Sequence, residues 1–557
     1  MSRLLRAPLR IGRRLARRGR GWLSRRGWAR TARSLLNEAP LVLRDPGLVV
    51  ALGRAEARGD PVALAPLLDR ALAGRRSRYL LRRQAELLGT IGELSRSRDA
   101  WRELARSGDA AAARKVRWIE GRLTELDTQW LPRIPEGREP LVAASRDRIL
   151  HIAKSAAPER WSGFTIRTLQ NLRAQRSAGL EPIIVTKLGW PREAGLTEVP
   201  AQVTFEGFEQ HYLDRGPDYD PSSLPFDVRL QDTTDALVPL VRELRPAVLH
   251  VHSGHRGGEL VLAALALRGH FDIPVVYEVR GLFEATWTSD MRIAERAEVY
   301  QRRLAQETRI LRDVDGVVAI SEALAAELVA RGIPRTKITV VPNGIDPDAL
   351  QPAPRDAALR ARLGLDDRLV VGYLGNLDHW REGIDVLLAA LAQLHARGRT
   401  DIAVLVVGDG TRRPSMEEEA RRLGLTSSVR FTGRVPHAEV GRYYGQMDVF
   451  TNPRVDERAS RLITPLKPYE AMALGIPVLV SDLPALREIV DPPNRGAIAP
   501  PGDARGLADG LERLLDDPAE RARLGEAGRA WVLAERRWSA NGPRYRAAYE
   551  AILGPID

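Results

Sequence analysis

The chain has 557 residues, 44% of them hydrophobic and 28% charged, with a formal charge of +13 and no cysteine. These values fit a globular protein of several domains and exclude a disulfide framework or a metal site built on cysteine. No run of about 18 apolar residues occurs, so no transmembrane helix is expected.

The positive charge is concentrated at one end. The first 37 residues hold twelve arginines and no acid, and the rest is nearly neutral. Residues 1–40 therefore read as a basic arm. Leu4, Leu5, Leu9, Leu15, Trp22, Leu23 and Trp28 interleave with the arginines, a composition suited to an anionic membrane surface. Binding to nucleic-acid phosphates is the less favoured alternative, and a solvated tail the plain one. The arm lacks the apolar run of a signal peptide.

Residues 41–145 carry apolar residues at helical spacing, as in "PVALAPLLDRALA" and "YLLRRQAELLGTIGEL", with no clean repeat period. An alternation of strands and helices starts at "DRILHIAKS" and continues through "PIIVT", "AVLHVHS", "PVVYEVR", "GVVAIS" and "KITVVPN". Near-continuous Val/Ile runs of this kind predict buried parallel strands and a doubly wound α/β domain over 146–348. A Pro- and Ala-rich stretch, 349–366, reads as a linker. The alternation restarts with "LVVGYLGN", "IAVLVVGDG", "VRFTGRV", "MDVFTNP" and "PVLVSD", giving a second α/β domain over 367–530 and a closing helix over 531–557. Two such domains enclose a cleft, and ligands are expected in the loops after the strands.

Ser162-Gly163 opens a helix and suits the approach of an anion, or is a plain turn. His250 and His252 share one face of a strand. No nearby acid or cysteine cluster completes a ligand set, so no metal is expected, and His252 should be buried or face a ligand. Arg280 at a strand end suits a phosphate or sugar oxygen, or an ion pair with Glu278 or Glu284. Gly375, Arg381 and Gly383 form a turn into a helix where a phosphate fits, or an ordinary strand-to-helix turn, and Arg434 suits stacking on a base, or is plain surface charge. In "TPLKPYEAMALG", Thr464 reads as a helix cap, and Lys467 is one of only five lysines.

Five stretches, in order, resemble the retaining family 4 glycosyltransferases of the GT-B fold. They are "SGFTIRTLQNLRAQRSAGLEPIIVT", "DGVVAISEALAAELVARGIPRTKITVVPNGID", "VGYLGNLDHWREGIDVLLAAL", "VRFTGRVPHAEVGRYYGQMDVF" and "TPLKPYEAMALGIPVLVSDLPALREIV". The resemblance spans roughly residues 147–550. It implies two Rossmann-like domains, an acceptor held by the first, a nucleotide-sugar donor held by the second, and neither metal nor bound cofactor. The donor is expected to be UDP- or GDP-linked and the acceptor a glycan or lipid-linked glycan.

Carried over, Glu470 should bond the ribose, with Thr464, Pro465 and Leu466 approaching the diphosphate and sugar. Arg434 and Val435 should lie beside the base, and Gly163, Gly375 and Asn376 near the donor. Phe164, His252 and Asn343 should line the cleft on the acceptor side. Three positions depart from the family. Leu462 stands where a second glutamate is usual, Asn376 and Glu382 where an arginine and a lysine are usual, and Arg280 where a histidine is common. The cation at the phosphates then falls to Lys467, Arg381 or Arg280. "EGID" and "TPLKP" resemble a bacterial envelope or exopolysaccharide branch, which implies a cytoplasmic protein peripheral on the inner face of the cell membrane. The alternatives are a GT-B epimerase or phosphorylase, with Lys467 as the candidate Schiff-base lysine, and a non-catalytic scaffold acting through the basic arm.

Overall fold

A computed structural model describes residues 45–74, 77–352 and 354–556. The arginine-rich arm and its expected membrane contact lie outside the described residues. The chain divides into two units, Met1–Ile119 and Glu120–Asp557. No helix among the described residues is long and apolar enough to cross a membrane.

The first unit is helical: Pro46–Arg58, Pro61–Gly74, Arg78–Thr90, Leu94–Arg106 and the start of Ala110–Glu125. Side-chain oxygens of Asp45 and Ser77 cap the first and third helices by accepting from Leu48 N (2.8 Å) and Leu80 N (3.3 Å). Leu48, Leu52, Ala55, Leu64, Leu68, Ala71 and Leu80 form its apolar cluster.

The second unit contains two sheets. One has β1 (Arg148–Ala153), β2 (Glu181–Thr186), β3 (Gln202–Phe205), β4 (Phe208–Tyr212), β5 (Val248–His252), β6 (Val275–Val279), β7 (Gly316–Ala319) and β8 (Ile338–Val340). Its order is β3-β4-β2-β1-β5-β6-β7-β8, parallel except for β3 against β4. The other has β9 (Leu369–Leu374), β10 (Ile402–Val407), β11 (Val429–Phe431), β12 (Val449–Asn452), β13 (Val478–Ser481) and β14 (Ala497–Ala499), all parallel, in the order β11-β10-β9-β12-β13-β14. β5, β6, β10 and β12 are buried along their whole length, which is why their sequences are continuous rather than alternating. Strand order reverses between β1 and β5, and again between β9 and β12. Those two switch points are where open α/β sheets form crevices.

Five segments differ from expectation. β3, β4 and β14 are additional strands; β3 and β4 join through Glu206 and Gly207, both at positive φ, a tight turn without the usual Asn-Gly or Asp-Gly signal. Residues 120–145 belong to the α/β unit, where Glu139 N and Leu141 N donate to His270 O and Phe271 O. The expected linker contains the helix Ala357–Leu363, capped by Asp356 and anchored by buried Leu359. The closing segment breaks near Arg536, between the helices Pro518–Glu535 and Gly542–Leu553.

That break carries the chain back to the first sheet. Ile345 N donates to Arg536 O (2.7 Å) and Trp538 N to Ile345 O (3.1 Å), so the outgoing and returning crossings run side by side. A Cβ at Gly344 would stand 2.8 Å from Arg536 O, so only glycine fits this crossing without a shift. The Gly542–Leu553 helix then buries Tyr545 and Tyr549 among Ile149, Val248, Val276 and Val318.

The polar centre of this face is Glu278 on β6, with no exposed surface. Its carboxylate accepts from Arg167 Nε (2.9 Å), Arg280 Nε (2.6 Å), His250 Nε2 (3.2 Å) and Tyr545 OH (2.7 Å). Burial alone would raise its pKa. Arg280, Arg167 and the His250 bond more than offset that and hold the carboxyl well below its ordinary 4.5. Because the folded value is depressed, its stabilisation is present above the ordinary carboxylate range and is lost as pH falls through the folded value. Glu278→Gln should leave two buried guanidiniums uncompensated and cost about 3–5 kcal/mol, read as a lower urea midpoint for the α/β unit. An unchanged midpoint would show that the ion cluster contributes nothing to stability.

Candidate active site

The second sheet's switch point is lined by backbone. After β9, Gly375 leads into the turn Trp380–Glu382 and the helix Ile384–Ala396. Gly383 has φ 68°, and a Cβ there would collide with Pro453 O after β12. Gly408, after β10, would likewise collide with Gly375 O. The crevice therefore requires glycine at both positions.

The helix Lys467–Ala473 follows β12 and carries Glu470. Glu470 accepts from Lys467 Nζ (2.9 and 3.0 Å) and Tyr444 OH (2.9 Å). Lys467, one of three candidate cations for the phosphates, is thus paired with the carboxylate expected to take the ribose. Thr464 does not cap this helix; Leu466 occupies that position without a side-chain bond. Thr464 is instead buried, accepting from Asn343 Nδ2 through its carbonyl (3.0 Å) and donating to Ile320 O (3.4 Å). Pro465 and Leu466 remain half-buried, and Leu466 Cδ1 lies 3.3 Å from where a Cβ on Gly163 would be.

Arg381 lies in the Trp380–Glu382 turn, and burial together with the neighbouring Arg454 lowers its pKa. Its ion-pair contact is loose, 3.7 Å to Glu382. Glu382 is bound bidentately by Arg454 (3.2 and 3.1 Å), and Arg454 also donates to Ile463 O (2.9 Å). The carboxylate that replaces a family lysine is therefore neutralised, and its partner holds the loop at Ile463. Asn376 accepts from Asp378 N (2.6 Å), which stabilises its own turn. Arg434 is exposed and Val435 packs against the domain core. Leu462 and Ile463 pack against the core of the first sheet, and Leu462 O accepts from Ser321 Oγ (2.8 Å). An apolar strut occupies the position of the missing glutamate.

Around the first sheet the ion-pair reading of Arg280 and the buried reading of His252 hold, while Asn343 departs from its expected place lining the cleft. Arg280 does not project freely into the cleft. It is fastened to Glu278, to Phe164 O (3.1 Å) and to Thr168 Oγ1 (2.7 Å), because the buried carboxylate needs its charge. Its Nη2 is buried without a partner. Asn343 is an interdomain strut, accepting from Arg167 Nη1 (3.0 Å) while donating to Thr464. His252 is 1% exposed and stacks on His151, beneath the edge of Phe164.

His151, His250 and His252 place ligand atoms within 4.8 Å of one another. Five of their six nitrogens serve hydrogen bonds, His151 to His252 (3.1 Å) and Gln175 (2.9 Å), His250 to Glu278 and Tyr549 (2.9 Å), while His252 Nδ1 is buried without a partner. Burial lowers all three pKa values, so the rings are neutral. A divalent ion would have to break these bonds beside two guanidiniums.

Sequence reasoning missed Lys154, Arg167, Tyr444 and Arg454. Lys154 immediately follows β1, and its place after a strand was a usable signal. Arg167, Tyr444 and Arg454 gave none, because their roles depend on partners far along the chain.

Residues 162–344 match a glycosyl transferase 4-like domain, and residues 368–517 match glycosyl transferases group 1. The chain is 34% identical over 257 residues to a 2-deoxystreptamine glucosyltransferase of Streptomyces kanamyceticus, covering 45% of this chain and 64% of that protein, so it spans slightly under two thirds of this relative. It is 30% identical over 311 residues to a phosphatidyl-myo-inositol mannosyltransferase of Mycolicibacterium smegmatis, covering 55% of this chain and 72% of that one. The structure resembles that of a sucrose-phosphate synthase from Thermosynechococcus elongatus, with a TM-score of 0.60, 23% identity, and coverage of 73% of this chain and 99% of that one. Two family domains in order, on two doubly wound sheets, make the chain a member of the group 1, family 4-type glycosyltransferases of the GT-B fold.

Proposed function

We propose that the protein transfers a hexose from a UDP- or GDP-linked donor to a glycan or lipid-linked glycan, with retention at the anomeric carbon. Glu470 carries this reading: a carboxylate at the β9/β12 switch point, fixed by Tyr444 and Lys467 beside a glycine-lined crevice. Two adjacent ribose hydroxyls donate naturally to such a group. As they bind, they compete with Lys467 for the carboxylate and free the ammonium for the diphosphate three residues away.

Bond cleavage leaves negative charge on the diphosphate. A fixed cation in a partly dry crevice stabilises that charge more than water does. Arg381 suits this role because it is half-buried and its carboxylate neighbour is already bound by Arg454. Glu278 and Glu382 are poor proton acceptors, since arginines hold both below the usual carboxylate range despite burial. The departing phosphate is then the base for the incoming hydroxyl, the arrangement expected of a retaining enzyme of this family. The named glucosyl- and mannosyltransferase relatives support a hexose donor. The envelope branch, the cytoplasmic membrane face and a membrane role for residues 1–37 belong to the same proposal and rest on the resemblance and the composition of the arm.

A thermal-shift screen with UDP, GDP, ADP and their sugars should find one nucleotide series that stabilises the protein, by about 2.7 kcal/mol at 100 times its Kd. No response to any of them would sink the proposal. Glu470→Ala should weaken binding of the responding nucleotide by about 10–100-fold, the value of a charged hydrogen bond. Arg381→Ala and Lys467→Ala should each lower kcat by about 10²–10³ with the protein still folded, and near-wild-type turnover would remove that residue from the mechanism.

A further inference from the structure

We infer that the switch point of the first sheet, between β1 and β5, is a binding site for a phosphate-class anion, held by the Lys154 ammonium and the unpartnered end of the Arg280 guanidinium. Only the source of the anion rests on the proposed glycosyl transfer: it is either the donor diphosphate or an anionic group on the acceptor.

Lys154 follows the last residue of β1, and the loop after β5 supplies its one hydrogen bond, Nζ to Gly254 O at 3.1 Å. Its ammonium sits 4.4 Å from the centre of the Phe164 ring and 5.4 Å from that of Phe283. Lys154, Phe164 and Phe283 are all half-buried, so the group is partly dry yet open to a ligand. No carboxylate lies within 4 Å of it among the described residues. Glu259 lends it distant support, but that carboxylate accepts from the amides of His255 (2.6 Å) and Arg256 (3.1 Å) at the start of the helix Glu259–Phe271. The anion position at that helix end is therefore already filled.

Arg280 shares the same aromatic ring, its guanidinium carbon 4.6 Å from the Phe164 centre. Nε and Nη1 are committed to Glu278, Phe164 O and Thr168, while Nη2 is buried and bonded to nothing. An orphaned buried donor of this kind calls for a ligand or a water. The surrounding field is positive. Burial, then Arg280, Arg160 and Lys187, act against Glu259 to lower the pKa of Lys154 to about 8. A tetrahedral oxyanion bound at Lys154 keeps further acceptor oxygens for a second donor such as Arg280 Nη2.

The scarcity of lysine makes this measurable on the full-length protein. Reductive 13C-methylation labels five lysines, and the Lys154 resonance is the one lost in Lys154→Met or, should that variant fail to fold, in Lys154→Arg. Its titration midpoint, near 8 in the free protein, should rise by about one unit or more in inorganic phosphate. If the anion belongs to the donor, UDP or GDP should move the midpoint by itself and exclude phosphate, and Lys154→Met should weaken the diphosphate at least about tenfold but not the nucleoside. If it belongs to the acceptor, phosphate should still move the midpoint at saturating UDP or GDP. A midpoint indifferent to phosphate, UDP and GDP overturns the site. Failure to bind any nucleotide, with the phosphate response intact, would refute glycosyl transfer and leave this site standing.

Discussion

A single carboxylate with no exposed surface organises the larger unit. Glu278 is surrounded by two guanidiniums, an imidazole and a phenol that arrive from the Gly163–Ser177 helix, the end of β6, β5 and the C-terminal helix. A buried charge persists only when it is paired and its lone pairs are used, and both conditions hold here. Its effect reaches the cleft. Arg167 bridges from Glu278 to Asn343, and Asn343 bridges to the donor loop at Thr464. The position of the donor loop thus depends on an ion cluster in the other domain.

The second domain repeats the device at its own switch point. Glu382 and Arg454 form a buried pair that ties the turn after β9 to the loop after β12, and Arg454 extends the tie to Ile463. In both halves the acidic partner is withdrawn from chemistry, and one arginine is left with spare hydrogen-bonding capacity near the cleft: Arg280 in the first, Arg381 in the second. This explains how the cleft can be cationic while the body of the chain is nearly neutral.

The fold was legible where sequence pattern and burial agree. Strands buried on both faces left continuous Val/Ile runs, and the loops after them held most of the residues that line the crevices. β3 and β4 were not legible because they are short, four and five residues, and are joined by a turn without the usual signal. Glu470 was singled out by the family resemblance, and the structure adds its bonds to Lys467 and Tyr444. Arg280 was half legible: an ion pair with Glu278 was one of two equal readings, and the structure adopts it while leaving one nitrogen free. The pairing of Lys467 with Glu470, a single helical turn away, was not read from the sequence, because a three-residue separation also fits two independent charges. The Arg167–Asn343–Thr464 relay links residues 176 and 121 positions apart, and no local pattern encodes such a separation.

The returning C-terminal helix has a consequence for the order in which the molecule is made. Domains commonly fold as the chain emerges, N-terminal first. Here the first α/β domain receives Tyr545 and Tyr549, partners of Glu278 and His250, from residues synthesised after the whole second sheet. Until they arrive, the β1–β5–β6 face presents an incompletely bonded carboxylate, an imidazole and an uncovered apolar surface. The second domain has no such debt to a later segment beyond its own helices. On the ribosome the two halves should therefore mature in the reverse of their order in the sequence, with the acceptor half sealed last.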